Sequence, residues 1–370
     1  MNFKSIGKGF FSLGKHQSSD ISASKIDQKD QDSGFSFKLY ALVTSLLLGS
    51  VGGINWLVDP LWYSQGNILT GKNFAFNERI TKTNLFFRTK NQAKYDCVIF
   101  GSSRVIALRP SNFQENKCFN YSLKGGEILD FVNYSNFLKD QGLEPQKVYI
   151  GVDGLNFVEK DIEAQAPLDI NTMATKSPLQ AYFSVDVLLF SAMTLLGVSP
   201  DPGNYYDRNF EPVDFDHPPV YKPDFYKPLE EQKCDLSAIK MFADLRQVFP
   251  NAEFIGYVPP VSAWSIINDT YGRDLMDCQL TAVHQLAQTY DVMYDFTAPS
   301  EVTKNPDYTF DGSHYSVAIN NKIAAILQGQ SDANFGIRVD KYKFDEYRNV
   351  YQGKLRGFLA ENNELKRWQE

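Results

Sequence analysis

The stretch YDCVIFGSSRVIALRP, Tyr95 to Pro110, decides how the rest of the chain is read. Its first half is a continuous apolar run of β-branched and aromatic residues, the composition of a strand buried on both faces. It stops at Gly101, Ser102 and Ser103. Two readings of that stop stand: glycine and serine are ordinary turn residues, and a serine at the end of such a strand can also be presented as a nucleophile.

Working outward, four more apolar runs repeat the pattern: KCFNYS (Lys117 to Ser122), KVYIGVD (Lys147 to Asp153), AEFIGYV (Ala252 to Val258) and DVMYDF (Asp291 to Phe296). Between them lie helical periodicities. In GEILDFVNYSNFLKDQGL, residues Ile128, Leu129, Phe131, Val132, Phe137 and Leu138 make one apolar face, and SVAINNKIAAIL (Ser316 to Leu327) closes the series. Strands alternating with helices predict an α/β fold, a doubly wound parallel sheet with helices on both faces, over residues 95–330. An insert at about 158–232 interrupts it, too long for a connecting loop. Its first part, SPLQAYFSVDVLLFSAMTLLG, reads as a helix or helical pair.

Residues Leu39 to Val58 carry no charged side chain, which at the helical rise covers roughly 30 Å, the thickness of a bilayer core. They predict one transmembrane anchor, 38–58, with Trp56 and Trp62 as interfacial residues at its far end. The polar leader, 1–37, reads as a disordered cytoplasmic tail, and 59–94 as a connector with a short helix over Glu78 to Lys90. Lys25, Lys29 and Lys38 before the span, against Lys72 after it, put the N-terminus in the cytoplasm and the main domain outside. The expectation is a single-pass cell-membrane protein. The charged segment 331–370 reads as a helical appendage.

A net charge of -7 excludes a general attraction for nucleic-acid backbones. His217, His284 and His314 show no metal-ligand spacing, so no metal and no cofactor are expected. Cys97, Cys118, Cys234 and Cys278 include no CxxC. Cys97 and Cys118 read first as small buried hydrophobes, with a bridge open in an oxidising compartment.

Chemistry gathers at the ends of the runs, where a doubly wound sheet opens its ligand crevice. In FDGSHYS, Asp311 and His314 are three apart before a helix, so the carboxylate can fold back on the imidazole while the other nitrogen faces the crevice. Helix capping beside a surface histidine is the alternative. Gly125 and Gly126 open a helix after the second run, where backbone N–H groups favour negative charge. With the Ser103 N–H, that of Gly125 would make an oxyanion hole; ordinary turn chemistry also uses paired glycines.

These residues together resemble the SGNH/GDSL hydrolase superfamily: Gly-x-Ser after the first strand, NYSLKG after the second, GVD closing the third and Asp-x-x-His near the end. The VDP after the span and the forms VIFGSSRV and DGSHYS are similar to membrane-anchored members linked to O-acylation of cell-surface polymers, teichoic-acid D-alanylation among them. The resemblance covers roughly Val58 to Leu327. It implies Ser103 as nucleophile, His314 as base, Asp311 as its orienting acid and Gly125 as oxyanion donor. Its third-block asparagine falls on Asp153, an acceptor when ionised; Asn156 or Asn120 would then substitute as donor, or Asp153 is structural.

The expected activity is a serine acyl-ester enzyme, a transferase or an esterase. Its expected partners are a carbohydrate polymer acceptor and an integral membrane O-acyltransferase. A non-catalytic scaffold on the same fold is the alternative. Tyr205, Tyr206, Phe215 and Tyr221 of the insert would offer aromatic faces to a sugar, or pack as satellite core.

Overall fold

The computed structural model describes residues 26–159, 177–198, 205–213, 219–226 and 232–368. The chain divides into two compact units, Met1–Ser50 and Val51–Glu370. Helix α1, Ile26–Val58, runs through the first and into the second. Within it Ser36–Val58 is long and apolar enough to cross a membrane. Most of the expected disordered tail lies outside the described residues, but its last part, from Ile26, is already helical. Once the apolar segment has formed a helix, adding residues at its end costs little compared with starting a new one.

In the second unit, the five apolar runs form five parallel strands: β2 (Cys97–Phe100), β3 (Cys118–Asn120), β4 (Lys147–Gly151), β6 (Glu253–Val258) and β7 (Val292–Asp295). With β8 (Ile337–Arg338), antiparallel to β7, they make a six-stranded sheet of order β3-β2-β4-β6-β7-β8. A second, two-stranded sheet pairs β1 (Lys72–Phe74) with β5 (Tyr205–Asp207), joining the connector to the insert.

Alternating side chains of each main strand enter two separate cores. Val98, Phe100, Val148, Ile150 and Phe254 face α2 (Glu78–Ala93), α3 (Ile128–Asp140), α6 (Ala238–Val248) and α7 (Met276–Ala287). Cys97, Ile99, Tyr149, Ile255 and Tyr257 face α8 (Val317–Leu327) and the turns after β2. Because both faces are covered, the strands read as continuous apolar runs rather than alternating ones.

Three expectations change here. Cys97 is bonded to Cys118 and Cys234 to Cys278, so the reading of Cys97 and Cys118 as separate buried hydrophobes is corrected. Cys97 and Cys118 are register partners on neighbouring strands, a relation that exists only once β2 and β3 pair. Segment 331–370 is no appendage: β8 extends the sheet, and α9 (Phe344–Glu361) buries Tyr347, Tyr351, Leu355 and Phe358 in the first core. Those positions, three and four apart, make one helix face, so the charged residues between them are its wet side. The connector also belongs to the unit, with α2 buried along Thr81, Lys82, Thr83 and Asn84. Of the insert, the described parts are α4 (Pro178–Tyr182), α5 (Val185–Leu196), β5 with the turn after it, and residues 158–159, 219–226 and 232.

Candidate active site

The strand stops at Gly101 because the turn after it folds back over its end. A Cβ on Gly101 or on Gly151, at the ends of β2 and β4, would lie 2.3 Å from the Val105 side chain. Glycine at both ends therefore lets the Ser103–Val105 turn sit down on the sheet. Within the turn the two serines part company. The Ser102 hydroxyl accepts from the Arg104 N–H at 3.3 Å and caps the turn. Ser103 Oγ lies 2.8 Å from His314 Nε2.

The histidine is held from the other end by its own loop. His314 Nδ1 is 2.7 Å from Asp311 Oδ2, while Asp311 Oδ1 accepts from the Ser313 and His314 N–H groups at 2.8 Å each. Gly312, at φ +89, has the left-handed backbone this loop needs, and the Tyr221 ring fills the space beside it. Tyr221 Oη lies 2.9 Å from Ser262 Oγ, and the Ser262 N–H donates to the Gly312 carbonyl at 2.7 Å. Partial burial pushes the Asp311 carboxyl up; the hydrogen bond and charge of His314, with the two backbone N–H groups, outweigh it and hold the acid well below the usual carboxylate range. With Nδ1–H donating to an ionised Asp311, Nε2 is the acceptor nitrogen for the Ser103 hydroxyl.

Ser103 thus meets the Asp311–His314 loop, more than two hundred positions away in sequence, at the carboxyl edge of the sheet. Gly125 lies exposed on the loop after β3 with a left-handed backbone of φ +59. That loop is pinned three times. The Leu123 N–H donates to the Gly101 carbonyl at 2.8 Å, Glu78 Oε2 accepts from the Lys124 N–H at 2.5 Å, and the buried Lys82 ammonium donates to the Ser122 carbonyl.

The two asparagines considered as donors are turned to other work. Asn156 Nδ2 donates to the Asp153 carbonyl at 2.9 Å. Asn120 Nδ2 donates to the Leu108 carbonyl at 2.8 Å, and its oxygen accepts from Ser122. Asp153 is nearly buried and paired with Arg104 at 3.2 Å. Sequence reasoning missed Arg104, although a carboxylate in an otherwise apolar strand end calls for a cation and the residue after Ser103 is one. Arg104, Val261, Arg273, Asp311 and Ser313 line a cleft of about 380 Å³ beside the histidine loop.

Of the insert aromatics, Tyr221 stands beside the histidine loop as described. Tyr206 is buried, stacked on Phe210, and its hydroxyl donates to Glu78 Oε1 at 2.9 Å, so it packs as core and offers no face to a ligand. Tyr205 lies on β5, with its backbone alone described, and Phe215 falls outside the described residues. No family model and no curated protein matches this chain.

Proposed function

We propose that this protein is a membrane-anchored serine acyl-ester enzyme of the SGNH type, acting on a cell-envelope polysaccharide through an acyl-serine intermediate. The observation that carries the reading is the hydrogen-bonded series Ser103, His314, Asp311 at 2.8 and 2.7 Å. In it Ser103 Oγ attacks the acyl carbonyl as His314 Nε2 takes its proton, and the Ser103 and Gly125 N–H groups would receive the oxygen that becomes negative. The imidazolium returns the proton to the departing oxygen, leaving the acyl group on Ser103. Water or a sugar hydroxyl, deprotonated by the same nitrogen, then takes the acyl group and frees the serine. Asp311 keeps the ring oriented and stabilises its charged form.

Three further observations support parts of this reading. The five parallel strands follow the order 2-1-3-4-5 in chain sequence, the flavodoxin-like order, and Ser103 and Asp153 follow the two strands at its switch point. Two disulfides favour an oxidising compartment, which agrees with an extracytoplasmic domain behind a cytoplasmic N-terminus. The candidate span, long and apolar enough to cross a membrane, supports an anchored enzyme, to which an integral O-acyltransferase would hand over acyl groups.

The test is covalent labelling of the detergent-solubilised full chain by a fluorophosphonate serine probe. Labelling is expected in wild type and in Ser102→Ala and is lost in Ser103→Ala. His314→Ala and Asp311→Ala should each slow acyl-ester turnover on the order of a thousandfold or more, with the double variant little worse than either single one. A folded wild-type chain that neither takes the probe nor cleaves a small acetyl ester would leave the scaffold reading.

A further inference from the structure

Helix α5 is built inside out. Its inward stripe, Val187, Ser191 and Thr194, carries two hydroxyls, and both are buried and bonded. Ser191 Oγ donates to Asn55 Oδ1 at 2.9 Å and Thr194 Oγ1 to Asn73 Oδ1 at 3.1 Å. Asn55 in turn donates to the Tyr182 and Ser184 carbonyls at 2.7 and 3.1 Å, tying the α4–α5 hairpin to the last turns of α1. The outward stripe is the apolar one. Val185, Leu189 and Leu196 lie on one face of the helix and, with Leu179 and Phe183 of the preceding turn, are between 50% and 77% exposed.

A helix in water puts its apolar stripe against the core and its hydroxyls outside; this one buries two hydroxyls beside Val187 and the half-buried Phe190 ring stacked on Phe76, and turns a second apolar stripe outward. Ser177 to Val198 holds a single charged residue, Asp186. A polar interior contact with an apolar exterior is the arrangement required where the surroundings are hydrocarbon, because buried polar groups must be satisfied inside the protein.

We propose that the α4–α5 hairpin lies in the lipid bilayer as a second membrane contact beside the N-terminal span. The occupant of its outer face follows from continuity: the candidate span ends at Val58, and the hairpin is bonded to Asn55 within its last turn. Gly52, one turn earlier, leaves room for the Phe183 ring, since a Cβ there would lie 2.8 Å from it. Twelve residues of α5 make a rod of about 18 Å, too short to cross a bilayer, so it lies within one leaflet. The inference is independent of the chemistry assigned to Ser103.

The experiment uses the full chain in vesicles of phosphatidylethanolamine and phosphatidylglycerol. All four native cysteines are disulfide-bonded, so one added cysteine takes one nitroxide label. Variants Leu189→Cys and Leu196→Cys report the hairpin, Leu47→Cys the span and Val350→Cys, on α9, the aqueous reference. Collision with oxygen relative to a water-soluble nickel chelate is expected to be several-fold higher at 189, 196 and 47 than at 350. Aqueous values at 189 and 196 with a lipid value at 47 would overturn the proposal while leaving the span; aqueous values at all three would remove both. A label at 189 or 196 shielded from both reagents would mean protein against the face, a second copy or a partner, and would also overturn it. Unchanged thermal unfolding of each labelled variant establishes that the label reports the native fold.

Discussion

Ser102 and Ser103 carry the same hydroxyl one peptide apart, and only the direction the turn gives each separates them: one caps the Arg104 N–H, the other meets His314. The Asp311–His314 loop is as local, and its acid has a measurable signature. Its folded carboxyl is held below the usual range, so the linkage has a definite sign: the contribution to stability is present above the unfolded value near 3.8 and is lost as pH falls through the lower folded value. The difference in urea midpoint between wild type and Asp311→Asn should therefore stay level from pH 8 to about 5 and shrink below about 4. A difference that shrinks already between pH 7 and 5 would show that Asp311 is not held as an ion by His314. At this scale the meeting of Ser103, His314 and Asp311 was legible because Gly-x-Ser and Asp-x-x-His are short spacings with a chemical reason. The Arg104–Asp153 pair was not, because its members stand 49 positions apart and meet only when β2 and β4 lie side by side.

Elements were legible where burial follows a period. The five strands and helices α3 and α8 announce themselves by apolar runs and stripes, and each falls where its pattern predicts. Helix α2 was seen as a helix but not for what it does, since its first turns bury polar side chains, Glu78, Thr81, Lys82, Thr83 and Asn84, ahead of the apolar Leu85 and Phe86. No hydrophobic period marks such a face; its reason lies in the loop across from it. Glu78 and Lys82, one helical turn apart, grip the Ser122 to Lys124 backbone just before Gly125. Burial lowers the Lys82 ammonium to about 8, with Glu78 opposing that shift. Between about pH 8 and the unfolded value of 10.5, the unfolded chain then holds a proton that the folded one has released, so stability from this group rises with pH across that window. Wild type should gain in unfolding midpoint relative to Lys82→Met from pH 8 to about 10, and parallel curves would mean Lys82 stays charged in the fold. On the proposed acyl-ester reading, the same variant should slow turnover with little change in the Ser103–His314–Asp311 hydrogen bonds, because the loop bearing Gly125 loses one of its three pins.

At the scale of the molecule, the reading of the sequence went wrong where a segment's role depends on what folds against it. The charged C-terminal stretch became a strand and a core helix, and four scattered cysteines became two bridges, because linear spacing carries no record of which elements end up adjacent. The bridges differ in setting. Cys97–Cys118 is buried between two strands of the sheet, whereas Cys234, just beyond the insert, is exposed and ties that region to Cys278 on α7. Thiolate attack requires access to a sulfur, so exposure orders their reduction. With a mild thiol under native conditions, Cys234 and Cys278 should become alkylated first, and Cys97 and Cys118 only on unfolding. By the chain-entropy estimate, opening the 44-residue loop removes up to about 4 kcal/mol of stability, so the half-reduced protein should unfold at a distinctly lower temperature while still folded at 25 °C. Equal alkylation of all four cysteines below the unfolding transition would mean that the sheet opens as readily as the segment beyond the insert, and that the Cys97–Cys118 bridge does not lie in a closed core.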